Sequence, residues 1–208
     1  MARMFDRPIR RLAQLQLGLV LYGASLACMV RAELGLDPWD VLHQGLSERT
    51  SLSFGTVVIL VGALVLVLWI PLRQRPGLGT VSNVLVIGLA ADATLAVLAT
   101  PDPSVARWGL VALGILTNAV ATAAYIGAGL GPGPRDGLMM GWVARTGANV
   151  RRTRTTIELV VLAAGWLLGG TVGVATVLYA LSIGPLVHAL LPRLAIHPAP
   201  PRSALAPA

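Results

Sequence analysis

"GLDPWD" covers residues 35–40 and "GPGPRD" covers residues 131–136, so the pattern Gly-x-x-Pro-x-Asp occurs twice, 96 residues apart. Long apolar stretches flank both copies. Proline suits the first turn of an α-helix, because its missing N–H has no intrahelical partner to lose there. A carboxylate in the same turn interacts favourably with the helix dipole. The two copies therefore predict two helices that begin at Pro38 and Pro134.

The composition around these motifs is that of a membrane protein. Of 208 residues, 55% are hydrophobic and only 12% are charged, whereas soluble domains carry about 25% charged residues. The net charge of +7 comes from arginines that cluster between apolar runs, as orientation signals do. We therefore expect the lipid bilayer as partner, and no nucleic acid.

Six segments have the length of a membrane span, since a helix needs about 20 apolar residues to cross the hydrocarbon. The fifth segment begins among arginines, which can extend to the headgroups from a helix end. The predicted spans are Leu12–Val30, Phe54–Leu72, Gly77–Leu98, Val105–Gly127, Thr153–Gly170 and Val172–Leu191.

The arginine distribution predicts the orientation. With the N-terminus inside, thirteen arginines fall in inner segments, and only Arg31, Arg49 and Arg107 fall in outer segments. Positive residues concentrate on the cytoplasmic side. We therefore predict a multi-pass protein of the bacterial cytoplasmic (inner) membrane with both termini in the cytoplasm.

The repeat extends beyond the two motifs. At the same offset of 96 residues, Arg49 falls on Arg145 and Gly88 on Gly184. We predict a single membrane domain, 1–208, made of repeats at about 11–99 and 105–192, with a disordered cytoplasmic tail at 193–208. Three spans per repeat is an odd number, so the second repeat must enter the membrane from the opposite side. The fold class is therefore all-α, with two inverted three-span repeats.

Each repeat also contains a short helix, Pro38–Arg49 or Pro134–Arg145. Twelve residues extend about 18 Å, too little to cross a bilayer. These half-helices are either re-entrant or lie along the interface. Their predicted turn and start positions are Gly35, Pro38, Gly131, Gly133 and Pro134.

Asp40 and Asp136 stand in the first turns of the half-helices. One interpretation is plain capping, with Asp37 as the cap of the first half-helix. The other places both N-termini at a shared site, where backbone N–H groups would attract anions and the carboxylates would attract cations or protons. The sequence leaves both interpretations and the sign of the substrate open.

Ionisable residues within membrane spans are often functional. Asp92 in the third span and Glu158 in the fifth are therefore further candidates for a substrate or ion site. Asp92 could instead face headgroup water, and Glu158 could pair with Arg154 one turn earlier. No enzymatic motif and no metal-ligand spacing occurs, so we expect no catalytic residue, no metal and no cofactor.

The segments "GLDPWDVLHQGLS", "GLGPGPRDGLM" and "RTTIELVVLAAGWLLGG" resemble the bacterial YczE/YitT-type membrane proteins, a six-span family of unknown molecular function. The resemblance covers Gly18 to about Leu191. It marks Trp39, Arg135 and Glu158, together with the motif glycines, prolines and aspartates, as recurring positions. It implies a membrane protein and supplies no substrate.

The expected function is a transporter or channel for a small solute or ion, with its site between the two half-helices. The candidate site residues are Asp40, Asp136, Arg135, Trp39, Asp92 and Glu158. The alternative is a non-transporting scaffold or regulator that acts through a homodimer or another membrane protein. A polar cavity between the motifs would favour transport, and a dry, close-packed centre would favour a scaffold.

Overall fold

The computed structural model describes residues 7–196, and these form eight α-helices and no strand. Both predicted half-helices are present, the second one residue longer than expected. The helices are α1 (Pro8–Ala32), α2 (Pro38–Arg49), α3 (Phe54–Leu72), α4 (Leu78–Val97), α5 (Ser104–Ala128), α6 (Pro134–Thr146), α7 (Val150–Leu167) and α8 (Val174–Leu194).

Five of the eight described helices are long and apolar enough to cross a membrane, namely α1, α3, α4, α5 and α8. Helix α7 is not among them: its 18 residues include Arg151, Arg152, Arg154 and Glu158. The predicted class of all-α membrane protein therefore agrees with the structure, while the count of six spans stays a prediction.

The helices recur at the offset found in the sequence. Helices α1 to α4 begin at residues 8, 38, 54 and 78, and α5 to α8 begin at residues 104, 134, 150 and 174. Contacts between the halves recur as well: Gly79 N donates to Leu130 O (2.8 Å), and the equivalent Ala175 N donates to Leu34 O (3.0 Å). The two halves thus share helix order and tertiary contacts.

Helices α1 and α5 pack antiparallel at the centre. Gly18 lies against the backbone of Ala121, and its repeat equivalent Gly114 lies against the backbone of Ser25. Small residues allow such close approach of membrane helices. The buried Asn118 side chain adds a polar contact, because its Nδ2 donates to Ser25 Oγ at 2.8 Å.

Each half-helix follows a turn that requires glycine. Gly35 has φ +119° and Gly131 has φ +126°, values that residues with a Cβ rarely adopt. The turns are also crowded, since a Cβ on Gly35 would lie 2.6 Å from Thr176 Oγ1. This geometry directs the chain from the long central helix into the half-helix.

The two halves differ where α3 meets α4 and α7 meets α8. A Cβ on Gly88 would lie 2.4 Å from Gly55 O, so α3 and α4 touch backbone to backbone. Asp92 reinforces this α3–α4 contact by accepting from Ser53 Oγ and from Gly55 N (2.7 Å). In contrast, α7 and α8 barely touch, and nothing lies within 4 Å of a Cβ placed on Gly184, the equivalent of Gly88.

The first residues of the predicted disordered tail, 193–196, are ordered. Helix α8 continues to Leu194, and Ile196 is buried, with its N–H donating to Gly127 O at 2.9 Å. Arg11 Nη2 donates to Ile196 O at 3.0 Å. These contacts order residues 193–196, and residues 197–208 lie outside the described part.

Candidate functional site

A cavity of ≈ 380 Å³ lies where the N-termini of α2 and α6 approach each other. All eight helices contribute side chains to its wall. The volume corresponds to about a dozen water molecules and lies at the lower end of the range for small-molecule sites. The centre of the bundle is therefore not close-packed, and charged side chains line the open space.

Asp37 caps α2 and also faces this cavity. Its Oδ1 accepts from Trp39 N (2.8 Å) and Asp40 N (2.9 Å), as a helix cap does. Its Oδ2 is buried without a hydrogen-bond partner. Gly133 occupies the equivalent position at α6, so that helix has no side-chain cap.

Arg135 joins the two half-helices. Its Nη1 lies 3.6 Å from Asp37 Oδ2, and its Nη2 lies 3.7 Å from Asp40 Oδ1. Both distances exceed that of a normal hydrogen bond. The guanidinium also lies over the Trp39 ring, 5.1 Å from the centroid, which is a cation–π geometry. Trp39 and Arg135 are repeat equivalents, so they meet where the two halves join.

Asp37 and Asp40 lie outside the five membrane-length helices, and both are buried. Burial raises the pKa of Asp40 to about 6, although the guanidinium of Arg135 opposes the shift. Burial raises the pKa of Asp37, and the neighbouring Asp40 carboxylate raises it further. Asp40 also contacts His43 Nδ1 at 2.9 Å. Asp40 can therefore gain or lose a proton near neutral pH.

The second half contributes Asp136 and Glu158. Tyr125 Oη donates to Asp136 Oδ2 at 3.3 Å. Glu158 and Arg154 line the cavity from α7, and the described residues give neither a hydrogen bond nor a salt bridge to either side chain. The pair that their helical spacing suggested is therefore not formed, and both face open space.

The structure brings five of the six candidate residues together. Trp39, Arg135, Asp136 and Glu158 line the cavity, and Asp40 lies beside Arg135. Asp92 lies elsewhere, in the α3–α4 contact, where it binds the start of a neighbouring helix. Among the described residues, no group of three His, Cys, Asp or Glu side chains is arranged to hold a metal ion.

Several lining residues were not among the predicted site residues. Tyr22, Tyr125 and Tyr179 bring aromatic rings to the wall, and Asn83 brings an amide. One signal was available, because Asn83 and Tyr179 are repeat equivalents and both are polar within apolar helices. Polar residues at equivalent positions of two halves are expected to meet at the same internal surface.

Comparison with known proteins places this chain in a family. An uncharacterized protein of Haemophilus influenzae is 39% identical over 173 residues, which cover 83% of this chain and 79% of that protein. The uncharacterized membrane protein YczE of Bacillus subtilis is 34% identical over 179 residues, covering 85% and 83%. The uncharacterized protein YyaS of Bacillus subtilis is 22% identical over 180 residues, covering 85% and 90%.

No solved structure matches the chain significantly. The model of a family of unknown function, DUF6198, matches residues 9–192. The match and the identity to YczE confirm the predicted resemblance to YczE-type proteins. This membrane protein therefore belongs to the DUF6198 family.

Proposed function

We propose that this protein transports a small solute across the bacterial cytoplasmic membrane and binds it in the central cavity. The observation that carries the proposal is the position of that cavity, between two half-helix N-termini at the junction of two equivalent halves. Inverted-repeat transporters place their substrate sites at such junctions. A purely structural scaffold has no need of a polar cavity there.

The proposed topology has six spans, with α7 as the sixth, arranged as two inverted three-span repeats. The 18 residues of α7 extend about 27 Å, close to the thickness of the hydrocarbon. Its arginines lie in the first turns and can reach the headgroups. The recurring helix starts and hydrogen bonds support the repeat, and the arginine distribution supports cytoplasmic termini.

In this topology the structure corresponds to a state open to the cytoplasm. The cavity extends to Arg154 in the second turn of α7 and to His188 near the end of α8, where these helices separate. On the opposite side, the α3–α4 contact holds the equivalent helices together. Transport requires this contact to open while α7 and α8 approach each other, which is the movement expected of alternating access.

The cytoplasmic side cannot close in the same way as the external side. Arg151 and Glu158 occupy the positions equivalent to Gly55 and Gly62, so side chains keep α7 from backbone contact with α8. Closure there must bring polar groups together, with His188 in the place that Asp92 takes in the α3–α4 contact. Unpaired polar groups are costly to bury, so the closed state needs them paired with each other or with the solute.

The second candidate is a regulator that binds a cytoplasmic solute and never opens outward. The observation that favours it is the tight Gly55–Gly88 contact, which has no equivalent in the other half. We propose no enzymatic role, and a homodimer or partner protein belongs to this second candidate. The two candidates differ in whether the α3–α4 contact must open.

A reversible crosslink across the α3–α4 contact separates the two candidates. The double variant Ser53→Cys/Asp92→Cys replaces two side chains that touch each other, in a Cys28→Ala background. Proteoliposomes are screened for uptake of labelled small solutes, with and without a proton gradient. We expect oxidation to abolish uptake and reduction to restore it, while either single cysteine variant stays active under both conditions. Absence of protein-dependent uptake for every solute, measured against protein-free vesicles, would favour the regulator. Protein-dependent uptake that the crosslink does not change would refute the α3–α4 contact as the gate.

A further inference from the structure

We propose that the solute carries a compact cationic group, an amine or a guanidine, and that Glu158 and Asp136 are its principal partners. This inference rests on the proposed function, because it names the chemical class of the ligand in the same cavity. Four features of the cavity support it, namely its excess of carboxylates, an unsatisfied carboxylate oxygen, its aromatic walls and the cation that it already holds.

The cavity region contains more carboxylates than guanidinium groups. Four carboxylates lie at or beside the wall, on Asp37, Asp40, Asp136 and Glu158, against two guanidinium groups, on Arg135 and Arg154. When all four carboxylates are ionised, their negative charges exceed the two guanidinium charges by two. Such an excess is unfavourable away from bulk water unless a cation or protons neutralise it.

One carboxylate oxygen lacks a hydrogen bond. Asp37 is 3% exposed, and its Oδ2 is buried and unpartnered although the residue lines the cavity. The nearest Arg135 nitrogen lies 3.6 Å away, beyond hydrogen-bond distance. Buried acceptors in native proteins are normally satisfied, so this oxygen needs a proton shared with the neighbouring Asp40 carboxyl or a donor supplied from the cavity.

The site already stabilises one cation of the proposed kind. Arg135 is a tethered guanidinium that lies over Trp39 and between two carboxylates. Tyr22 and Tyr125, whose rings meet edge to face at 6.2 Å, supply further aromatic surface to the same cavity. Aromatic rings beside carboxylates are a recurrent environment for organic cations.

The uncapped N-terminus of α6 does not reverse this assignment. A helix N-terminus can accept an anionic group. However, Asp136 Oδ2 lies 3.6 Å from a Cβ placed on Gly133, so a lone anion would meet a carboxylate. A solute can place its own carboxylate at this N-terminus only if the same solute also carries a cationic group that the cavity carboxylates bind.

Three small probes that share a short alkyl chain and differ in charge test the charge requirement: propylammonium chloride, sodium propionate and propionamide. Each is titrated against the full-length protein in detergent at pH 7.5 and constant ionic strength, with the thermal unfolding midpoint as readout. We expect saturable stabilisation by propylammonium and none by the other two. Glu158→Gln, which removes a carboxylate without a protein partner, should raise the apparent Kd at least tenfold. Asp102→Asn, at an exposed acidic residue, should leave it unchanged.

Stabilisation by propionate alone, or no saturable stabilisation by propylammonium, overturns the inference. So does propylammonium binding that neither Glu158→Gln nor Asp136→Asn weakens. Binding in detergent does not require translocation, so failure of the cation inference does not by itself refute transport. The transport proposal still holds if uptake of an anionic or neutral solute responds to the crosslink. Conversely, cation binding without protein-dependent uptake of any solute removes the transport proposal and keeps the site.

Discussion

Gly88 and Gly184 are repeat equivalents, but Gly88 is tightly packed and Gly184 borders open space. The same substitution should therefore lower the free energy of unfolding at Gly88 and raise it at Gly184. In Gly88→Ala, the new methyl group would lie 2.4 Å from Gly55 O and 2.6 Å from Ile59 Cγ1. Overpacking of this kind costs about 1–3 kcal/mol. Because a backbone carbonyl cannot easily move aside, we expect a cost near the upper end of that range, partly offset by about 1 kcal/mol of helix propensity.

Gly184→Ala gains the same propensity without a clash, since its Cβ would have nothing within 4 Å. We therefore expect Gly88→Ala to lose about 1–2 kcal/mol and Gly184→Ala to gain up to about 1 kcal/mol. The difference of about 2–3 kcal/mol should separate the unfolding midpoints by roughly 4–12 °C. Thermal unfolding of both variants in one detergent measures it. Equal midpoints would refute the asymmetry between the two helix pairs.

Three further predictions concern anchoring, protonation and topology. Trp69 is 2% exposed and its Nε1 donates to Pro134 O at 3.0 Å, so Trp69→Phe should lower the free energy of unfolding by about 1–3 kcal/mol. The control Trp166→Phe, at a 66% exposed side chain, should change it by less than about 0.5 kcal/mol. Denaturant unfolding of both variants measures the two effects. The raised pKa of Asp40 means that the folded state holds the proton more tightly than the unfolded state. The resulting stabilisation of the folded state, about 3 kcal/mol, is full below about pH 4 and is lost as pH rises through about 6. An Asp40→Asn protein whose stability falls equally over this range would show that Asp40 is not the group that titrates. Reporter fusions at 73–76 and 147–149 should report the cytoplasm and a fusion at 50–53 the exterior; the reverse at 147–149 would refute the inverted repeat.

Features set by local chemistry were predictable from the sequence. Proline in the first turn and Asp37 as cap define the start of α2 without help from the rest of the fold. The uninterrupted apolar run of α3 gave the bounds Phe54–Leu72, which the structure shares. The offset of 96 residues predicted which helices correspond, because turn residues and helix starts repeat together.

Features set by tertiary packing were not predictable. Asp92 illustrates the difficulty, because a carboxylate that binds the start of a neighbouring helix and one that faces a cavity look alike in a single sequence. The meeting of Trp39 and Arg135 depends on how the two halves dock. The separation of α7 from α8 likewise depends on long-range contacts that the short connection between these helices does not determine.

Transport requires that one cavity be reached from both sides of the membrane. The most direct measurement is the labelling of Gly184→Cys, in a Cys28→Ala background, by a membrane-impermeant thiol reagent in right-side-out and inside-out vesicles. Gly184 lines the cavity and has open space around its Cα, and Leu52→Cys in the exposed loop before α3 reports vesicle orientation. We expect fast labelling from the cytoplasmic side and slower, measurable labelling from outside. Labelling from the cytoplasmic side alone, however long the exposure, would contradict this expectation.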